Sequence, residues 1–353
     1  MSAFLDKKLE KLVPYTPGEQ PHGIEGLIKL NTNENPFPPS PMVIEAVNRT
    51  VSSLNLYSDP ACVRAVEAIA AFYGVRKENV FVSNGSDETL SFIFHGLCEN
   101  GAAFPDITYS FYKVFADMFG VRKTVVPLDD DFNIQIDDYK DIKSTVVIAN
   151  PNAPTGICLP LSEIERLLNQ DLNRLVVVDE AYIDFGGEST VKLIDEYKNL
   201  LVVQTFSKSR SLAGGRIGFA VADAEIIADL NRMKYAFNPY NVNALSIAAA
   251  EAAMKDTAYF ETCRSTVIKN REYIAKKLRE LGFMVLDSKA NFVFAGRNKK
   301  VSAADYFEKL RRNNILVRYF PEGRSADFVR ISVGAMEQME KLYEVTKTIL
   351  GEM

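Results

Sequence analysis

Four short polar segments, each following an apolar run, hold the residue types that could do chemistry in this chain. The first, Ser83-Asn84-Gly85-Ser86-Asp87-Glu88, lies between the run NVFVS and a stretch with helical periodicity. Gly85 permits a tight turn, and the N–H groups after it lie at a helix N-terminus, which suits a phosphate. The second, Asn150-Pro151-Asn152-Ala153-Pro154-Thr155-Gly156, carries two prolines and a glycine that hold a rigid loop. The third, Val176-Val177-Val178-Asp179-Glu180-Ala181-Tyr182, places an acid pair after a buried-type strand. It resembles the acidic segment of an ATPase, but the chain has no G-x-x-x-x-G-K-[ST] to hold the nucleotide. The fourth begins at Ser207-Lys208 and reaches Arg216 eight residues later, after the pair Gly214-Gly215. No G-x-G-x-x-G accompanies it, so dinucleotide binding is unsupported.

Taken singly, each segment has an ordinary explanation: a βα turn, a structural loop, a satisfied carboxylate, a solvated lysine. Together they specify more. A carboxylate, a tyrosine and a lysine at neighbouring strand ends, flanked by a helix N-terminus and an arginine, are what pyridoxal phosphate requires. That cofactor needs an imine-forming lysine, an acid that keeps its ring nitrogen protonated, donors to its phenolate oxygen and a site for a dianion.

These residues have to be positioned by regular elements. From Met42 onward, β-rich apolar runs (79–83, 123–128, 145–149, 175–178, 200–206 and 215–222) alternate with helical stretches such as 62–73, 87–97 and 163–168. The alternation predicts an α/β fold with a mainly parallel, mixed sheet between helices, and ligands bind beyond the carboxyl ends of such strands. A helical stretch from about Asn243 to Leu281 ends at Gly282, and the pattern after it predicts a smaller α+β unit. The expected organisation is residues 1–41 as an arm and a segment packing on the smaller unit or on a partner. Residues 42–245 are the large cofactor-binding unit and 246–353 the small one, with the boundary inside the long helix. In the arm, Phe4, Leu5, Leu9 and Leu12 are spaced for one face of a short helix. Prolines 14, 17, 21, 36, 38, 39 and 41 then forbid continuous helix.

Composition narrows the classes further. The 353 residues are 47% hydrophobic and 25% charged with a formal net charge of −5, which suits a soluble two-domain protein. It gives no electrostatic reason to bind nucleic acid or an anionic membrane. No apolar run approaches the ~20 residues of a spanning helix. The start lacks the apolar core of a secretory signal, and four scattered cysteines without a C-x-x-C pair suit reduced thiols in a cytoplasmic protein. His22 and His95 are the only histidines and do not form H-x-x-x-H, so a histidine-based metal site is not expected.

The segments PYTPGEQP, KLNTNENPFPPSP, LYSDP, SNGSDE, NPNAPTG, VVVDEAYIDF, TFSKSRSLAGGRIGF and VRYFPEGRSADFVRISVG occur in this order along the chain. In them the sequence resembles the fold-type I, pyridoxal-phosphate-dependent aminotransferases, and among these the histidinol-phosphate aminotransferase family. The resemblance implies pyridoxal 5'-phosphate on Lys208, with Asp179 paired to the ring nitrogen and Tyr182 donating to the phenolate oxygen. Ser207, Arg216 and the amides of Ser86 and Asp87 would hold the phosphate, with the Asp87 carboxylate turned away from it. Tyr109 would stack on the ring. The asparagine usual before Pro-Thr-Gly is Ala153 here, which makes Asn152 the candidate for its contact. Tyr57 would reach the phosphate in the other subunit of a homodimer with shared sites. Arg330 would bind the carboxylate of glutamate or 2-oxoglutarate and, in the other half-reaction, the phosphate of histidinol phosphate, with Arg318 and Tyr15 sharing it. Arg210 has no assigned role. The implied reaction converts L-histidinol phosphate and 2-oxoglutarate to imidazole acetol phosphate and L-glutamate, a step of histidine biosynthesis. An aromatic amino acid aminotransferase, a phosphothreonine-type decarboxylase and, more remotely, a non-catalytic cofactor-binding regulator are the alternatives on this scaffold.

Overall fold

The structure is a computed structural model that describes residues 2, 4–21 and 23–351; His22 lies outside the described residues. The first part of the chain forms β1 (Ile28–Lys29), α1 (Pro41–Thr50), α2 (Val63–Tyr73), β2 (Val80–Ser83), α3 (Ser86–Gly96), β3 (Ala102–Pro105), α4 (Phe111–Phe119) and β4 (Lys123–Val126). Then come β5 (Thr145–Ala149), α5 (Leu161–Asn169), β6 (Val176–Asp179), β7 (Leu200–Thr205), β8 (Gly218–Ala222) and α6 (Ala224–Phe237). The rest forms α7 (Ala244–Lys255), α8 (Thr257–Glu280), β9 (Met284–Val285), β10 (Phe292–Gly296), α9 (Ala303–Arg312), β11 (Ile315–Leu316), β12 (Arg318–Tyr319), β13 (Phe328–Ser332) and α10 (Met336–Leu350).

Seven strands make one sheet in the order β2-β8-β7-β6-β5-β3-β4. Only β8 runs antiparallel to its neighbours, β2 and β7; the other pairs are parallel. The central runs TVVIA, VVVD and LLVVQT are buried along their whole length, as β-branched strands covered on both faces must be. Successive side chains alternate between two cores. Val146, Ile148, Val176, Val178, Leu200 and Val202 pack with α2, α5 and α7, whereas Val147, Val177, Leu201 and Val203 pack with α3, α4 and α6. The expected mixed, mostly parallel sheet between helices is what the chain forms.

Two expectations need correction. The single helix over 243–281 is two helices, because Asp256 leaves helical geometry (ψ 67°) and its carboxylate instead caps α8 at the N–H of Tyr259. The buried face of α7 joins the core of the large sheet, while Val267, Ile274 and Leu278 of α8 join a second core against β10, β13, α9 and α10. Among the described residues of the arm, only Lys7–Leu9 forms a turn of 3-10 helix; Phe4 is 97% exposed and Leu5 is exposed, while Leu9 and Leu12 are half-buried. The arm is tied down further along. β1 pairs with β11 in parallel, and Leu30 buries in the second core. Among the described residues, no helix is long and apolar enough to cross a membrane.

Candidate active site

Sheet register explains why distant segments meet. Ala149, Asp179 and Val203 are aligned across β5, β6 and β7, so β5 and β6 end level and β7 runs two residues further. On the other side, Gly218 pairs with both Ser83 and Thr205. The end of β2, the start of β8 and the end of β7 therefore share one edge, and the polar residues that follow them share one crevice.

At that edge Ser86 and Asp87 open α3, so their N–H groups have no acceptor one helical turn back. The Ser207 hydroxyl accepts from Thr205 Oγ1 at 3.0 Å and lies 3.5 Å from Arg216 Nη1. Gly218 makes the close approach possible: a Cβ there would sit 2.4 Å from the Ser86 nitrogen and 2.7 Å from the Gly85 carbonyl carbon. Gly85 is needed twice over, for its φ of +81° and because a Cβ would lie 2.8 Å from Arg216 Nη2. Gly218→Ala has to push backbone rather than a flexible side chain. It is expected to cost about 1–3 kcal/mol of stability, read as a lower midpoint in chemical denaturation with an unchanged m-value.

Asp87 does not follow the expected orientation. Its carboxylate turns toward the cradle, where Oδ2 lies 3.5 Å from Arg216 Nη2 and Oδ1 accepts from Tyr109 at 2.9 Å. Two donors attract it, and both charged side chains are partly exposed, so the pairing is a weak one that a dianion can replace. Burial, reinforced by the neighbouring Asp87, holds the Tyr109 phenol well above its ordinary pKa.

Asp179 is buried at the end of β6. Tyr112 Oη donates to its Oδ2 at 2.8 Å and the Ala181 N–H to its Oδ1 at 3.2 Å. Burial raises its pKa to about 6, even though both donors favour the ionised form. Lys208 lies three residues beyond β7. Its ammonium bonds the Thr32 carbonyl oxygen at 3.3 Å and is 5.8 Å from the centre of the Tyr182 ring. Asn35 donates to the carbonyl oxygens of Lys208 and Ser209 at 3.0 and 3.2 Å, fixing the backbone that carries the lysine. Tyr182 packs edge-on against Phe292 and accepts from Asn33 Nδ2 at 3.0 Å.

Asn152 does not take up the contact expected of it. Its amide donates to the Ile107 carbonyl oxygen and Thr155 Oγ1, and its Oδ1 accepts from Thr108. The side chain is committed to bracing its own loop against the segment after β3. Arg330, central in β13 and flanked by Arg318 and Phe294, lies between the faces of Phe292 and Phe320. Its Nη2 reaches the Asn31 carbonyl oxygen at 3.3 Å, but its buried Nε has no acceptor among the described residues. Burial lowers its pKa, while Tyr182 and Tyr15 nearby act to raise it. Arg318 donates to the carbonyl oxygens of Thr16 and Pro17, and so anchors the segment that carries Tyr15; Tyr15 stacks on Phe111 at 4.5 Å.

Tyr57 is not brought to this crevice. It is 84% exposed and stacked on Tyr240. His95 packs on Phe119 in the helical layer. Arg210 lies over the faces of Phe260 and Phe72 and donates to the Ala253 carbonyl oxygen, so it ties the end of α7 to the lysine loop. The partners Tyr112, Asn33 and Asn35 were not foreseen. Tyr112 could have been noticed as the residue one helical turn after Tyr109, and Asn33 and Asn35 from the alternation in Asn31-Thr32-Asn33-Glu34-Asn35.

A layered α/β sheet whose strand ends gather a buried acid, a lysine and an arginine-bearing anion cradle defines a class of protein, and comparison agrees. The chain belongs to the family described as aminotransferase class I and II, whose model matches residues 25–346. It is 47% identical over 354 residues to the histidinol-phosphate aminotransferase of Clostridium acetobutylicum, covering 99% of this chain and 100% of that one. It is 49% identical over 352 residues to histidinol-phosphate aminotransferase 1 of Bradyrhizobium diazoefficiens, with the same coverage. The fold is also that of the histidinol-phosphate aminotransferase of Sinorhizobium meliloti, solved in complex with pyridoxal-5'-phosphate (TM-score 0.89, 23% identity, 99% of each chain).

Proposed function

We propose that the chain transfers an amino group between L-histidinol phosphate and 2-oxoglutarate, giving imidazole acetol phosphate and L-glutamate, with pyridoxal 5'-phosphate held in the crevice. The observation that carries this reading is the convergence of Asp179, Lys208 and the Ser86–Ser207–Arg216 cradle at one end of the sheet. The donor set fits the cofactor: a helix N-terminus with a hydroxyl and a guanidinium for a dianion, a buried carboxylate for a ring N–H, and a lysine between them. Bound there, the cofactor supplies an electron sink for the bond broken at the substrate's Cα.

The chain's own residues do the remainder. Lys208 Nζ would move the proton from the amino donor's Cα to C4′ of the cofactor, and would carry it the opposite way when 2-oxoglutarate is the acceptor. Asp179 stays ionised against a cationic ring nitrogen, which offsets the burial that otherwise raises its pKa. Ser207, Arg216 and the amides of Ser86 and Asp87 would hold the phosphate, and Tyr109 would stack on the ring. Asn152 supports this indirectly, by bracing the loop beside the ring site. Arg330 pairs with the carboxylate of one substrate and the phosphate of the other. Arg318 acts with it by holding the segment that carries Tyr15.

The Tyr112 hydroxyl is expected to set the acid limb of the pH profile. In Tyr112→Phe the carboxylate of Asp179 loses a donor, its pKa rises, and activity is lost at a higher pH as the solution is acidified. The check is a kcat/KM–pH profile in which the acid limb moves upward and the alkaline limb stays.

We also propose a homodimer. The exposed, stacked Tyr57 supports it, together with Leu54, Leu56 and Phe237 exposed nearby in sequence or at the end of α6. Tyr57 would then complete the partner's cradle. The smaller C-terminal unit is proposed to start at the Asp256 break within the helical stretch, and the four free cysteines support a cytoplasmic setting. The test of the function is product analysis with histidinol phosphate, phenylalanine and phosphothreonine as donors. Glutamate formed with the highest kcat/KM from histidinol phosphate is expected. Preference for phenylalanine, or carbon dioxide released without glutamate, would overturn the reading.

A further inference from the structure

Among the described residues, the one hydrogen bond recorded at the Tyr182 hydroxyl is accepted by its oxygen, from Asn33 Nδ2. We propose that Asn33 is a positioning residue that fixes the direction in which Tyr182 donates. The proposal rests on the functional reading above and deepens it, because it concerns how one protein donor is aimed at the cofactor.

Asn33 is 1% exposed and sits in left-handed geometry (φ 55°), a conformation asparagine tolerates better than most residues. Its backbone N–H donates to Ser332 Oγ at 2.8 Å, and Asn291 Nδ2 donates to its carbonyl oxygen at 2.9 Å. Ser332 Oγ is also 2.9 Å from Asn33 Oδ1. Ser332 is buried, and Asn33 Oδ1 is the one acceptor recorded for its proton among the described residues. If the Asn33 amide were flipped, that proton would be buried without an acceptor, at a cost of about 1–3 kcal/mol. Ser332 therefore fixes Oδ1 on its own side and turns Nδ2 toward Tyr182, 3.0 Å away.

A phenol that accepts at its oxygen has its single proton left for another acceptor, and accepting strengthens it as a donor. Asn33, reaching across 149 positions of sequence, thus prevents Tyr182 from spending its proton on the neighbouring amide and leaves it for the crevice. Had Oδ1 faced the tyrosine, the phenol would donate to Asn33 and serve the cofactor's phenolate oxygen only as an acceptor, which is the wrong polarity. Ser332 acts one step further back, through Asn33.

The test is the pH titration of the visible absorbance of the cofactor-loaded protein, since a donor at the phenolate oxygen lowers the pKa of the linked lysine nitrogen beside it. Asn33→Gly keeps the left-handed backbone and removes the amide. It is expected to raise that pKa by about 0.5–1 unit, the size of one hydrogen bond. Tyr182→Phe should raise it further, and adding Asn33→Gly to Tyr182→Phe should change nothing more. A titration of Asn33→Gly identical to the parent would overturn the proposal, as would an equal shift from Asn33→Gly in both backgrounds, which would show a general effect on packing. Failure of the unmodified protein to develop any cofactor absorbance would instead count against the functional reading itself.

Discussion

Lys208→Ala is expected to lower kcat by about 10²–10⁴-fold or more, the range that a positioned acid–base group contributes, while leaving the fold intact. The lysine is partly exposed and, among the described residues, makes one side-chain hydrogen bond, to the Thr32 carbonyl oxygen at 3.3 Å, so its removal leaves no buried charge behind. Its backbone is held separately by Asn35, which the substitution does not touch. Lys208→Arg should not restore the rate, because a guanidinium keeps its proton and cannot act as the base. Single-turnover kinetics are the appropriate measurement. Wild-type transamination in Lys208→Ala would remove the lysine from the chemistry.

Arg330→Ala is expected to cost about 2–5 kcal/mol in transition-state binding, which corresponds to about 30-fold to several thousandfold in kcat/KM. The Nε of Arg330 is buried with no acceptor among the described residues. Among the described residues, Arg330 is held between Phe292 and Phe320 with one hydrogen bond, 3.3 Å to the Asn31 carbonyl oxygen, so the guanidinium is positioned without being saturated. A planar fork aligned this way pairs two-pronged with a carboxylate or a phosphate. Arg330→Lys keeps the charge but not the fork, and only part of the loss should be recovered. The same residue is expected to serve both half-reactions, so KM should rise for 2-oxoglutarate and for the phosphorylated donor together. A rise confined to one of them would divide the two roles between residues.

How much of this was legible depended on how local the signal is. The central strands announce themselves as apolar β-branched runs, and the fourfold pattern of polar segments after strands pointed to the crevice. The strand Ala102–Pro105 went unread because Ala-Ala-Phe-Pro has little β-propensity, and only its place between β5 and β4 makes it a strand. The break at Asp256 was masked by helix-favouring residues on either side. β1 is two residues long and exists only because β11 offers it an edge. Asp179 and Arg216 could be picked out by type, and folding sets them at the end of β6 and beside Ser207. Their orienting partners do not show in sequence, since Tyr112 reaches Asp179 across 67 positions and Asn33 reaches Tyr182 across 149. The expectation for Asp87 failed for a related reason: the attraction of Tyr109 and Arg216 for its carboxylate arises only after folding.

The most direct measurement of the central claim is a titration of the cofactor-loaded protein with a panel of amino donors, followed by visible absorbance. Histidinol phosphate is expected to deplete the lysine-linked cofactor band at the lowest concentration, and Arg330→Ala to remove this preference. A band depleted first by phenylalanine, or one indifferent to the phosphate on the donor, would contradict that claim.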